Sequence, residues 1–233
     1  DTGPTVLTML QLLDEAFRAV NTTAADHLTC TLLDPAYHAV FADGSRLNVR
    51  PGHERMREEI ARECGTRDAR AFDRFVTWLR RLHDVEVPHY IDTNFDSPFG
   101  LFRSPRAALE LLRLGAFKRL GPEIARRFED ERLHRVFSFQ AMYAGLAPGQ
   151  ALALYAVITY MDAIEGVWFP TEGGMHAVPR AMTRAAEAAG VEFRFGTTVD
   201  RVERRASGAV LGVRLADGAV LPADGVVLTP DLP

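Results

Sequence analysis

Only two cysteines, Cys30 and Cys64, occur in the 233 residues, and no short spacing links them. A disulfide framework and a cysteine metal motif are thereby excluded, and reduced thiols in a cytoplasmic protein are the simplest expectation. Long apolar runs are missing as well: the longest, 141–161, is broken by Pro148-Gly149, so no stretch supplies the about 20 uninterrupted apolar residues of a spanning helix. Neither sign of charge dominates. The chain carries 27 Lys+Arg against 31 Asp+Glu, for a net charge of -4, which argues against the basic footprint of a nucleic-acid binder. Gly-x-Ser-x-Gly and a glycine loop ending in Gly-Lys-Ser/Thr are both absent, which removes hydrolase and P-loop nucleotidase readings. Gly-x-Gly-x-x-Gly is absent too. The seven histidines are scattered without His-Glu-x-x-His spacing, so no metal site is expected. No basic segment followed by an apolar stretch and a cleavage site opens the chain, and Asp1 is not read as the natural start.

What is present is globular: 47% of residues are hydrophobic and 25% charged, enough for one large domain or two small ones. Leu12, Leu13, Ala16, Phe17 and Val20 recur at helical spacing until Asn21-Thr22-Thr23 stops them. Short alternating runs follow at 28–33, 37–41 and 46–49, separated by Asp34-Pro35 and Asp43-Gly44. They predict three strands, the last two a hairpin. Beyond Pro51 the apolar period becomes three to four, and helices are expected to about Met161, divided at Pro88, Ser97-Pro98, Gly121-Pro122 and Pro148-Gly149. A helix from about Met175 to Ala189 then ends at Gly190, a good stop residue. Strands are expected at 191–195, 199–205, 210–215 and 220–221, with turns at Ala206-Ser207-Gly208 and Asp217-Gly218. Val226-Val227-Leu228 reads as a short buried strand.

Three segments carry a family likeness: Asp1-Thr2-Gly3-Pro4-Thr5-Val6-Leu7-Thr8, Gly166-Val-Trp-Phe-Pro-Thr-Glu-Gly-Gly-Met175, and Val226-Val-Leu-Thr-Pro-Asp231. With them the chain resembles the bacterial phytoene desaturases, flavoprotein carotenoid desaturases, nearly end to end and as an interior slice. The family's dinucleotide fingerprint stands ahead of Asp-x-Gly-Pro-Thr, and its C-terminal FAD segment lies beyond Pro233. A purified slice of this kind is expected not to retain FAD, because the phosphate-binding turn lies outside it. The implied fold is mixed α/β (α+β), a partial amine-oxidase-like flavoprotein. Residues 1–165 form a mainly helical substrate region with short strands at 28–49, and 166–233 form part of a Rossmann-like FAD domain. The implied activity is FAD-dependent desaturation of a long isoprenoid such as phytoene, with hydride passing to the flavin. A carotenoid or retinoid isomerase or saturase, or a lipid-binding module without catalysis, are the alternatives.

The same likeness assigns residues to roles. Gly3, Pro4 and Thr5 lie by the flavin, with an ordinary turn before a helix as the other reading. Gly173 and Gly174 form a close-approach loop, and Val199 offers its main chain to the adenine edge, or else is simply a strand residue. Trp168, Phe169, Tyr143 and Tyr155 would wall a dry substrate tunnel, though aromatics at helical spacing are equally core residues. A proton must leave the substrate, and Glu165 and Glu172 are the nearest carboxylates to the loop, each otherwise a solvated charge. Basic residues from Arg103 to Arg119 interleave with Leu109, Leu112, Leu114, Phe117 and Leu120, giving either a stretch that lies on an anionic membrane or a solvated surface helix. The protein is therefore expected to be cytoplasmic and peripheral to a membrane that supplies its lipophilic substrate.

Overall fold

The computed structural model describes residues 5–91, 93 and 104–229. It is a mixed helix and strand fold in two compact units, Asp1–Ala185 and Ala186–Pro233.

The first unit begins with α1 (Leu10–Arg18). Its Phe17 is buried against Ala181 and Ala185 of α8 (Ala177–Ala188). Strands β2 (Tyr37–Val40) and β3 (Arg46–Val49) form the expected antiparallel hairpin, Tyr37 opposite Val49. Its turn uses Gly44 at φ 82°, a conformation that only glycine adopts cheaply. Strand β1 (Cys30–Leu32) does not join that hairpin. It pairs antiparallel with β4 (Trp168–Pro170), Leu32 opposite Trp168, and Trp168 also exchanges backbone hydrogen bonds with Leu7. Both Cys30 and Cys64 are free thiols.

Helices α2 (His53–Glu63) and α3 (Thr66–Glu86) each follow a glycine with positive φ, Gly52 and Gly65. The apolar stripe of α3 is the centre of the core: Phe72, Phe75, Leu79 and Leu82 are wholly buried. Phe75 meets Trp78, Phe128 and Phe137 at ring separations of 5.7, 5.3 and 5.2 Å, the offset and edge packing that aromatic quadrupoles favour. The Arg127 guanidinium stands 4.1 Å over the Trp78 ring, whose Nε1 donates to the Leu114 carbonyl at 2.9 Å. Around this centre pack α4 (Pro105–Leu114), α5 (Leu120–Ala125), α6 (Glu131–Val136) and α7 (Val157–Tyr160). Proline opens α4 and Gly115 at φ 75° closes it, the usual asymmetry of helix ends. Buried Asp68 accepts the Glu129 and Asp130 amides at 2.9 and 3.0 Å, and Asp130 caps α6 by accepting from the Arg132 amide.

Two expected breakers behave otherwise. Gly121-Pro122 lies in the first turn of α5, where proline's missing N–H has no partner to lose. Pro88 does not stop α3 outright, because the chain continues as a π-helical turn, Val87–Ile91, whose longer hydrogen-bond step accommodates the ring. Ser97-Pro98 lies outside the described residues. A second π-helical turn, Met161–Glu165, follows α7.

In the second unit β5 (Val199–Arg204), β6 (Val210–Leu215) and β7 (Val220–Pro222) form one antiparallel sheet in the order β5-β6-β7. The turns expected around Gly208 and Gly218 are made at φ 86° and 91°. Gly190 follows α8 at φ 94°. The amides of Gly190 and Val191 return to the Glu187 and Ala186 carbonyls, a Schellman stop.

Two expectations are corrected. Residues 191–195 form no strand, and neither do 226–228. A strand exists only through a partner, and the described residues supply none. Phe193 and Phe195 instead stack on each other at 5.5 Å, and Val227 is 90% exposed. The first compact unit extends to Ala185, because β4 is held by β1 and the alanine face of α8 by Phe17.

Candidate functional site

The glycine loop leaves β4 at Pro170, stays tied to the β1 side through Thr171 N–H to Thr29 O at 2.9 Å, and turns at Gly173 and Gly174, φ 74° and 59°. Glycine is required there by conformation rather than by crowding, since a Cβ on Gly173 would meet only Ala177 Cβ at 3.5 Å, an ordinary contact. The loop borders a cleft of about 500 Å³ in the first unit. One wall is 27–29, a second is Thr171, Glu172 and Gly173, and the third is the α8 face bearing Ala177, Arg180 and Arg184.

A second constellation lies on the π-helical turn after α7. Asp162 is 2% exposed. It accepts a hydrogen bond from Tyr37 Oη at 2.9 Å, and Tyr37 Oη lies 3.2 Å from the Tyr143 hydroxyl. Tyr143 is exposed. The three groups therefore form a hydrogen-bonded line from a buried carboxyl to the surface. Burial pushes the Asp162 carboxyl up to about 6, only partly offset by the Tyr37 hydrogen bond, and burial beside that carboxyl raises Tyr37 as well. A carboxyl held near neutrality is able to take and release a proton at working pH. On α3, burial pushes Glu86 up to about 8.

The residues singled out in the sequence are dispersed. Gly3 and Pro4 lie outside the described residues, and Thr5 is exposed. Glu172 lines the cleft, whereas Glu165 stands on the π-helical turn, 3.3 Å from His83 Nε2 without hydrogen-bond alignment. Trp168 and Phe169 sit half-buried on β4, and Tyr155 packs against the core from a short 3-10 turn. No ring contact joins any of Trp168, Phe169, Tyr143 and Tyr155 to another among the described residues, and none of the four lines the cleft. Val199 belongs to the second unit, 47% exposed on the edge strand β5. An edge strand keeps one rank of backbone groups free, which fits a main-chain contact to the adenine of a dinucleotide. The positive-φ glycine pair fits close passage of a flat ligand.

Asp162 and Tyr37 were not legible as a site. One signal was available: Asp162 is the carboxylate that immediately follows the apolar run 141–161.

All of residues 1–233 match the family described as flavin containing amine oxidoreductase. The chain is 50% identical over 233 residues to the phytoene dehydrogenase of Streptomyces griseus, covering 100% of this chain and 45% of that protein. It is 34% identical over 239 residues to the zeta-carotene-forming phytoene desaturase of Myxococcus xanthus, covering 100% and 44%. A crystal structure of Rab GDI from Plasmodium falciparum aligns with a TM-score of 0.49 at 13% identity, over 95% of this chain and 48% of that one. The chain spans less than half the length of these two curated relatives.

Proposed function

Because the chain belongs to the flavin containing amine oxidoreductase family, we propose that it is part of an FAD-dependent oxidoreductase that desaturates a long isoprenoid such as phytoene. The observation that carries this reading is 50% identity, across every residue of the chain, with a phytoene dehydrogenase. FAD, when bound, supplies acceptance of a hydride from an unactivated C–H bond. The Gly173-Gly174 loop is the part of the first unit that would hold it.

Desaturation removes a proton as well as a hydride from adjacent carbons, and the proton needs an acceptor. Asp162 suits that task better than Glu165 or Glu172. Its carboxyl is desolvated and raised to about 6, whereas Glu172 is an exposed carboxylate. Tyr37 and Tyr143 would then pass the proton outward along their shared hydrogen bond.

The substrate dissolves only in lipid, so it enters from a membrane. Among the described residues no helix is long and apolar enough to cross one. Leu109, Leu112 and Phe117 are 46%, 63% and 50% exposed, however, and they stand among Arg106, Arg113 and Lys118. Exposed apolar side chains among cations suit insertion into an anionic headgroup region. Leu111 and Leu114 meanwhile face the core. This supports peripheral attachment through α4 and the turn after it.

The test is product analysis of the full-length protein, saturated with FAD and supplied with phytoene in liposomes. Products lighter by two hydrogens for each new double bond are expected. A product of unchanged mass would assign an isomerase and overturn the desaturase reading.

A further inference from the structure

We infer that the cavity walled by Arg74, Arg126 and Arg127 seats the phosphate of a phosphomonoester lipid headgroup while the apolar residues of α4 lie in the membrane. Resting on the attachment through α4 proposed above, the site adds a lipid preference to it. The cavity measures about 250 Å³, below the about 300–1,000 Å³ of pockets for drug-sized ligands. It is matched to one small headgroup.

Ala71 and Arg74 stand one turn apart on α3, and the small, buried Ala71 leaves a hollow beside Arg74. Arg126 and Arg127 follow α5 directly and form the other wall. The Arg74 side chain has no hydrogen-bond or ion-pair partner among the described residues. Buried Glu123 holds the other two: Arg126 Nη2 donates to its two oxygens at 2.6 and 2.7 Å, and Arg127 Nη2 donates to one of them at 2.7 Å. Glu123 itself does not line the cavity. Arg127 is the desolvated member, its side chain 20% exposed and its buried Nε without an acceptor among the described residues. Burial lowers the pKa of its guanidinium, and Glu123 offsets that only in part.

Three guanidinium groups against one carboxylate leave two positive charges around one hollow, and like charges so placed repel. A carboxylate would cancel one of them. A phosphomonoester carries about two negative charges at neutral pH, and its oxygens match the planar guanidinium. The place in the fold points to a lipid. The Arg127 guanidinium lies 4.1 Å over Trp78, whose Nε1 donates to the Leu114 carbonyl at the end of α4. A headgroup held by Arg127 therefore lies close to the turn that carries exposed Phe117 and Lys118. Dinucleotide phosphates are held by amides at a helix N-terminus, whereas the donors here are side chains within α3 and beyond the C-terminal end of α5. No residue is shared with the cleft at the glycine loop.

The experiment measures flotation of the full-length protein, saturated with FAD, on phosphatidylcholine vesicles carrying phosphatidic acid or phosphatidylglycerol at matched surface charge. Tighter binding to phosphatidic acid is expected. Arg74→Gln with Arg126→Gln, two exposed side chains, should weaken binding to phosphatidic acid at least about tenfold more than binding to phosphatidylglycerol, the loss of one charge-assisted hydrogen bond or more. Arg80→Gln with Arg135→Gln removes the same charge away from the cavity and should leave the preference intact. An unchanged thermal midpoint in both variants separates binding from folding. Leu109, Leu112 and Phe117 replaced together by Ser should weaken binding to both lipids alike, which tests the attachment through α4 apart from the headgroup site. No preference in the unaltered protein, equal losses from the two arginine pairs, or a preference lost on saturation with FAD would overturn the site. Calorimetry with glycerol 3-phosphate separates the sources of the phosphate: arginine-dependent binding of it, with the vesicle preference unmoved, would assign a soluble phosphomonoester and overturn the headgroup.

Discussion

Asp162→Asn should make the protein more stable at alkaline pH while stopping turnover. The wild-type carboxyl is raised from an ordinary value of 3.8 to about 6 by burial. Its contribution to stability is therefore fully present below pH 3.8 and is lost as pH rises through about 6. With those two values, linkage gives a cost of about 1–2 kcal/mol at pH 5 and about 3 kcal/mol at pH 8. Asparagine keeps an oxygen to accept the Tyr37 hydroxyl, which lies 2.9 Å away, and carries no charge to desolvate. Urea denaturation of wild type and variant should show a gap in favour of the variant that roughly doubles between pH 5 and pH 8. Removing a positioned proton acceptor should at the same time lower desaturation by about 10²–10⁴-fold. A variant less stable than wild type at pH 8, or a gap that does not change with pH, would refute the assignment of a strained carboxylate. A stability gain with unimpaired turnover would make Asp162 structural and send the proton elsewhere.

In the full-length protein Gly174→Val should reduce desaturation more than Glu129→Ala at matched expression. Gly174 sits at φ 59°, where a β-branched residue is strained by about 1–3 kcal/mol, whereas Glu129 makes an exposed ion pair with Arg67 of about 1 kcal/mol at most; equal activities would remove the role of the glycine pair. Gly212→Ala should lower stability by more than about 2 kcal/mol, read from the urea midpoint, because its Cβ would clash with the Leu221 carbonyl oxygen across the β6–β7 pair; an unchanged midpoint would contradict that register. Leu109, Leu112 and Phe117 replaced together by Ser should weaken flotation with anionic vesicles at every salt concentration while stability holds. Undiminished flotation would move membrane entry away from α4.

The elements that periodicity and turn residues placed correctly are the ones whose instructions are local. Helix α1 ends where its apolar spacing ends, β2 and β3 turn on Asp43-Gly44, and α8 stops on Gly190. Pairing was a different matter. Nothing near Cys30 says that its strand will meet Pro170, because alternation specifies which face of a strand is apolar but not which strand lies beside it. The misreading of 191–195 has the same origin. Val191, Phe193 and Phe195 have strand composition, yet composition cannot supply the neighbouring backbone that would satisfy their N–H and C=O groups.

The site divides along that line too. The turn at Gly173-Gly174 was readable because positive φ writes itself into the sequence as glycine. The Asp162 line was not, because it depends on a contact with Tyr37 across a sequence separation of 125, and because a carboxyl is raised only by the surface that folding buries around it. Tyr143 shows how one residue type supports two readings. As a ring it was a candidate wall for hydrocarbon, but its hydroxyl lies 3.2 Å from that of Tyr37. It therefore supplies the outer, solvent-facing end of a polar line that begins at a buried acid. A tyrosine side chain offers an apolar face and a polar tip together, and the partner at the tip is visible only once the chain is folded.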